Sequence, residues 1–142
     1  MSQSTLTSTV ATTFSGTALF TGMATPVSAG SALLVSVTCD VGLVRAYEAV
    51  AGDLLLEERR DTGAGFGSWA SVGVMRGLFN PSGSGAVSVE QRAARALQAD
   101  RPPVEGLVAV QYRLVSSGVS ANPAATLTLF PGAAIRIMEV RA

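Results

Sequence analysis

The 142-residue chain contains no histidine and no lysine, a single cysteine, and charged side chains at only 14% of its positions. Each shortage removes a kind of chemistry. Without histidine, the general base of a Ser-His-Asp or Cys-His arrangement is missing. Without lysine there is no Schiff base, no Ser–Lys pair and no phosphate-binding P-loop. One cysteine cannot close a disulfide within the chain, and without histidine it cannot build the usual zinc site. The ten basic residues, all arginine, are balanced by ten acids. No basic stripe of the kind that nucleic-acid binding leaves is visible. No apolar run approaches the ~20 residues of a membrane-spanning helix. The opening MSQSTLTSTVATTF has neither the basic region nor the continuous apolar region of a secretory signal. Neither nucleic acid nor membrane is therefore an expected partner. Charged residues usually make up about 25% of a globular chain, so serine, threonine, glycine and alanine must cover this surface. Such neutral surfaces are often covered by another protein.

What the chain does have is alternation. In 106–116, GLVAVQYRLVS, the residues Val108, Val110, Tyr112 and Leu114 fall on one side and Ala109, Gln111 and Arg113 on the other. That is the pattern of a strand with one buried and one wet face. Weaker versions recur at 14–21, 32–40, 69–79, 125–130 and 133–140. In 32–40 the lone Cys39 shares the apolar side with Leu33, Val35 and Val37, which reads as a buried small hydrophobe. Segments 43–50 and 54–58 read as a hairpin around Ala51-Gly52-Asp53. The stretches 61–68 (DTGAGFGS), 80–85 (NPSGSG) and 117–124 read as loops. The strand at 106–116 is expected to pair with 125–130 or 133–140 through a short connection.

One segment reads differently. At 88–99, Ser88 and Gln91 have capping-box spacing, Val89, Ala93, Ala96 and Leu97 recur at helical intervals, and Pro102-Pro103 would end the run. The expected fold is all-β: an antiparallel β-sandwich of about eight short strands, jelly-roll-like, with one short helix. The expected organisation is an extended N-terminal arm over 1–13 and a single sandwich domain over 14–142. The arm is rich in serine and threonine; its Leu6 and Val10 are candidates to fill apolar pockets on a partner.

No catalytic, cofactor-binding or metal-ligating residues emerge, no cofactor is expected, and the chain reads as a non-enzyme. Glu57 and Glu58 are adjacent on a strand, so their carboxylates point to opposite faces and cannot meet at one substrate. The run EERRD reads as a solvated strand end with local charge pairing. Gly63, Gly65 and Gly67 lack the strand–helix context of a dinucleotide loop. Phe66 and Trp69, in or beside that loop, are candidate contact anchors for a protein or a sugar, unless Trp69 plugs one end of the core. Tyr47 and Tyr112 are further stacking candidates.

The Thr/Ser-rich start STLTSTVATTF, the compact β-domain and the ending LTLFPGAAIRIMEV together resemble the small decoration or cement proteins of tailed-bacteriophage capsids. The resemblance implies a virion structural protein, assembled in the host cytoplasm. It would bind the outer surface of the major capsid protein lattice, as homotrimers at three-fold positions, and hold neighbouring capsomers together. The alternative is a carbohydrate- or receptor-binding β-domain of a virion spike or fibre.

Overall fold

Alternating apolar residues build strands throughout the described part of the protein. The computed structural model describes residues 1–12, 15–46, 50–80, 89–117 and 126–140. In chain order the strands are β1 (Ser2–Thr5), β2 (Val10–Thr12), β3 (Ala18–Thr21), β4 (Thr25–Pro26), β5 (Ala32–Ala46), β6 (Val50–Asp61), β7 (Ala70–Asn80), β8 (Val89–Arg101), β9 (Ala109–Ser117), β10 (Thr126–Leu129) and β11 (Ala134–Val140). No helix occurs among the described residues.

Two antiparallel sheets form a sandwich. In the first, β5 is the spine. Along one side it pairs with β8, from Leu33 opposite Arg101 to Leu43 opposite Gln91. Along the other side, β11 and β10 follow one another end to end, and β1 and β2 lie outside them. In the second sheet β3 and β4 share one side of β9, followed by β6 and β7. Inward-facing residues at every second position meet between the sheets. Val35, Val37 and Val41 of β5, Leu54 and Leu56 of β6, Val110, Tyr112 and Leu114 of β9, and Leu127 and Leu129 of β10 are all essentially inaccessible to solvent. Period-two patterning and face-to-face packing explain the same set of residues.

Four expectations change. The helix over 88–99 is not formed: Val89–Arg101 is strand β8, and Ser88 lies outside the described residues. Here Ala93, Arg95, Leu97 and Ala99 are half-buried while Arg92, Ala94, Ala96 and Gln98 are exposed, a period of two. Alanine, glutamine and arginine favour a helix intrinsically, but that preference is small beside a continuous ladder to the spine strand. The hairpin around 51–53 is also absent. Ala51, Gly52 and Asp53 lie inside β6, β5 and β6 belong to different sheets, and Gly52 borders a register shift rather than a turn. Residues 47–49, Tyr47 among them, lie outside the described residues.

The strand at 106–116 corresponds to β9, which pairs with β3, β4 and β6 and not with β10 or β11. After β9 the chain changes sheets, so nearness in sequence does not become pairing. Its predicted inward residue Val108 precedes the strand and is 46% exposed. Finally, the described residues of the 1–13 segment are extended but do not stand away from the domain. Ser2–Thr5 pairs with β11 and Val10–Thr12 with β10, while the Leu6 N–H donates to Ala133 O and its carbonyl accepts from Gly132 N, both at 2.8 Å. The loops expected at 80–85 and 117–124 fall almost wholly outside the described residues.

One close approach between the sheets makes a test. A Cβ built on Gly73 of β7 would sit 2.6 Å from Leu97 Cδ2 of β8, so leucine fills the notch that the missing side chain leaves. Gly73→Ala is expected to cost about 1–3 kcal/mol by overpacking. Combined with Leu97→Ala it should cost less than the sum of the two single changes, read by urea denaturation as a coupling between them.

Candidate functional site

The phase that turns Leu54 and Leu56 inward also turns Glu58 inward, and its side chain is 3% exposed. This corrects the reading of EERRD as a solvated strand end: Glu57 and Arg59 face outward, but Glu58 closes one end of the core. A buried carboxylate needs partners, and three converge on it. Tyr112, directly opposite on β9, donates its hydroxyl to Glu58 Oε2 at 2.5 Å. Arg60 Nε donates to Oε1 at 2.5 Å. Arg101 donates from Nε to Oε2 at 3.1 Å and from Nη2 to Oε1 at 3.3 Å. Arg101 belongs to β8, so this clamp ties the first sheet to the second.

Burial alone would raise the Glu58 pKa. The hydrogen bonds from Arg101 and Tyr112 and the charges of Arg101 and Arg60 outweigh it and hold the carboxyl below its ordinary value of 4.5. Burial and the neighbouring Glu58 carboxylate push the Tyr112 phenol far above its ordinary value. A carboxylate with both oxygens taken by cations and a phenol is a fastener, not a general base. The sign of its pH dependence follows. Because folding lowers this pKa, the contribution is complete above pH 4.5 and is lost as pH falls from 4.5 through the lower folded-state value. Acid titration of the unfolding midpoint should show that loss, and Glu58→Gln should flatten it.

The outer face of the same strands carries a second cluster. Arg113 Nε donates to Glu57 at 2.7 Å, and Arg59 donates to Gln111 Oε1 from Nε at 2.8 Å and from Nη2 at 2.5 Å. The Arg59 guanidinium lies 4.7 Å from the Phe66 ring centroid and 4.8 Å from that of Trp69; Arg113 lies 4.3 Å from Trp69. The 61–68 loop holds Phe66 in place. Asp61 Oδ1 accepts from the N–H groups of Gly63 and Gly65 at 2.7 and 3.0 Å, and those glycines have φ of +108° and +97°, which other residues rarely adopt.

The structure thus brings two of the four candidate contact residues together. Phe66 and Trp69 meet over Arg59 on the outside of the second sheet, and half-buried Trp69 does not plug the core. Leu6 and Val10 lie in the first sheet, where they pack against the protein's own core. Sequence reasoning missed Arg59, Arg113 and the Glu58 clamp. The phase of β6 could have found Glu58, whereas its link to Arg101, 43 residues on, has no local signal.

Elsewhere the chemistry is quiet. Cys39 is 6% exposed, and burial, helped by Asp40 and opposed by Arg95, pushes its thiol up to about 11, which keeps it protonated and unreactive. No group of three or more His, Cys, Asp or Glu side chains that could hold a metal occurs among the described residues. The outer face of the first sheet is built largely from small uncharged residues, including Ser36, Thr38, Ala94 and Ala96. Its charges include Arg136, bonded to Gln3 and Thr38, and the Arg92–Asp40 pair at 3.1 Å. At one end of this face Met138 and Val140 are 43% and 47% exposed. Comparison with protein-family models, with curated proteins and with solved structures finds no match to this chain.

Proposed function

We propose that this protein is a structural, non-enzymatic subunit of a virion: a capsid decoration protein that binds the outer surface of a major capsid protein lattice and stabilises it. The observation that carries the reading is the outer face of the first sheet, broad and built mainly from small residues, with exposed Met138 and Val140 at its margin. Its Arg92 and Asp40 already neutralise each other, and its small side chains let another surface approach the strands closely. A rigid sandwich fastened by the Glu58 clamp suits a part whose work is to hold others in place.

The strand order supports a jelly-roll topology for this sandwich. With β1/β2, β3/β4 and β10/β11 each counted as one interrupted strand, the chain visits the sheets in the order first, second, first, second, second, first, second, first. That palindrome is what an antiparallel ribbon wound around a barrel produces. The alternative of a sugar-binding module is less well supported. Its best aromatics, Phe66 and Trp69, already carry guanidinium groups against their rings.

Producing a tagged chain during infection and banding the particles by density tests the proposal. The chain is expected to band with capsids and to raise their resistance to heat. Recovery in the soluble fraction alone, or glycan binding without capsid binding, overturns it.

A further inference from the structure

Sheet edges are where a β-protein meets other chains, and the edges of this sandwich are unequal. On one side they are made by β1, β2, β3 and β4, of 4, 3, 4 and 2 residues. Short, broken edges of this kind resist pairing with foreign strands. On the other side lie β7, of 11 residues, and β8, of 13. The ladder from β6 to β7 is broken by two register shifts. The ladder from β5 to β8 runs from Gln91 to Arg101 with none. β8 contains no proline and no lysine, and no described strand pairs with its outward edge. It therefore offers a straight row of main-chain donors and acceptors.

The outward-facing side chains of β8 read Arg92, Ala94, Ala96, Gln98 and Asp100, all exposed. The sequence is self-complementary about Ala96. If two such strands run antiparallel with Ala96 opposite Ala96, then Ala94 faces Gln98 and Arg92 faces Asp100, each twice. Arg92 is held at one end of this row by Asp40 at 3.1 Å and by the Phe130 ring, 3.9 Å from its guanidinium. Asp100, at the other end, has no ion-pair partner among the described residues.

We infer that two copies of this chain associate edge to edge through β8, antiparallel about a two-fold axis at Ala96, with Arg92 of each copy opposite the partner's Asp100. The pairing joins the two first sheets into one continuous sheet. It makes an isologous interface, which closes at two copies, in contrast to the trimer that the capsid resemblance implies. Main-chain bonds supply the attachment and the two charge pairs set the register. The inference does not depend on what the outer face binds.

The test is charge exchange across the register. Sedimentation of the full chain is expected to show a dimer. Asp100→Arg sets an arginine opposite Arg92 at both ends of the paired strands and should weaken self-association roughly ten-fold or more. Arg92→Asp should do the same. The two variants mixed should recover the dimer, because every opposed pair is again of opposite sign. Should Arg92→Asp fail to fold, amide exchange decides the matter: within 94–98, the amides that point away from β5 should be protected in the native chain at high concentration and lose that protection in Asp100→Arg. A monomeric or trimeric native chain, or an Asp100→Arg chain that dimerises as before, overturns the inference.

Discussion

Glu58→Ala is expected to destabilise the fold by about 3–5 kcal/mol, the range for breaking a buried ion pair from one side. The variant leaves Arg60 and Arg101 with side chains only 28% and 24% exposed and without their carboxylate. It also leaves the hydroxyl of Tyr112, a residue 1% exposed, without its acceptor. Each stranded group loses an interaction that water cannot easily replace. Tyr112→Phe removes one donor only and should cost about 1–3 kcal/mol. Glu58→Leu with Arg101→Met removes one charge from each sheet and puts apolar volume in their place, so it should recover part of the loss. Urea or guanidinium denaturation reads all three. A Glu58→Ala midpoint equal to that of the native chain would mean that the clamp contributes nothing.

Deleting residues 2–12 is expected to be nearly as damaging. A free, partner-seeking arm could be removed with the unfolding midpoint unchanged. Here the segment contributes four paired residues along β11 and three along β10. Leu6 and Val10 cover core residues. Main-chain bonds of about 0.5–1.5 kcal/mol each, together with the burial of two aliphatic side chains, amount to several kcal/mol. Domains of this size have only about 5–15 kcal/mol to lose. The truncated chain should unfold at much lower denaturant and, with β10 and β11 newly bared as edges, aggregate. An unchanged midpoint would restore the arm as a separate element.

These two regions also mark the limits of reading the chain by eye. β9 was legible because its inner face is large and apolar and its outer face polar, so the period stands out. β8 was not. Its inner face holds Ala93, Arg95, Leu97 and Ala99, and alanine satisfies a helical and an extended pattern equally well. Only the unbroken ladder to β5 decides between them. The N-terminal segment was misjudged for a related reason: Ser2–Thr5 is held by main-chain pairing, which composition does not encode. Within the site, the inward phase of Glu58 could be read from Leu54 and Leu56. That Arg101 would reach it from the opposite sheet could not, since the sandwich itself creates that proximity. Phe66 and Trp69 stand out in the sequence as aromatics in and beside a glycine-rich loop, but their arginine neighbours come from strands whose register the sequence does not reveal.

The first sheet also dictates when this protein can fold. Ser2 pairs with Ile137, and β11 lies between β1 and the spine strand β5. β1 therefore leaves the ribosome long before its partner β11 and must wait for it. Until residues 134–140 emerge, β1 has no neighbour and half of one flank of β5 is open. Contacts so distant along the chain make for slow closure, and a nascent chain with bare strand flanks is prone to join its neighbours on the same polysome. Completion of this sheet thus waits on β11, and a chain truncated before β11 is expected to need chaperone protection that the chain carrying it needs only briefly.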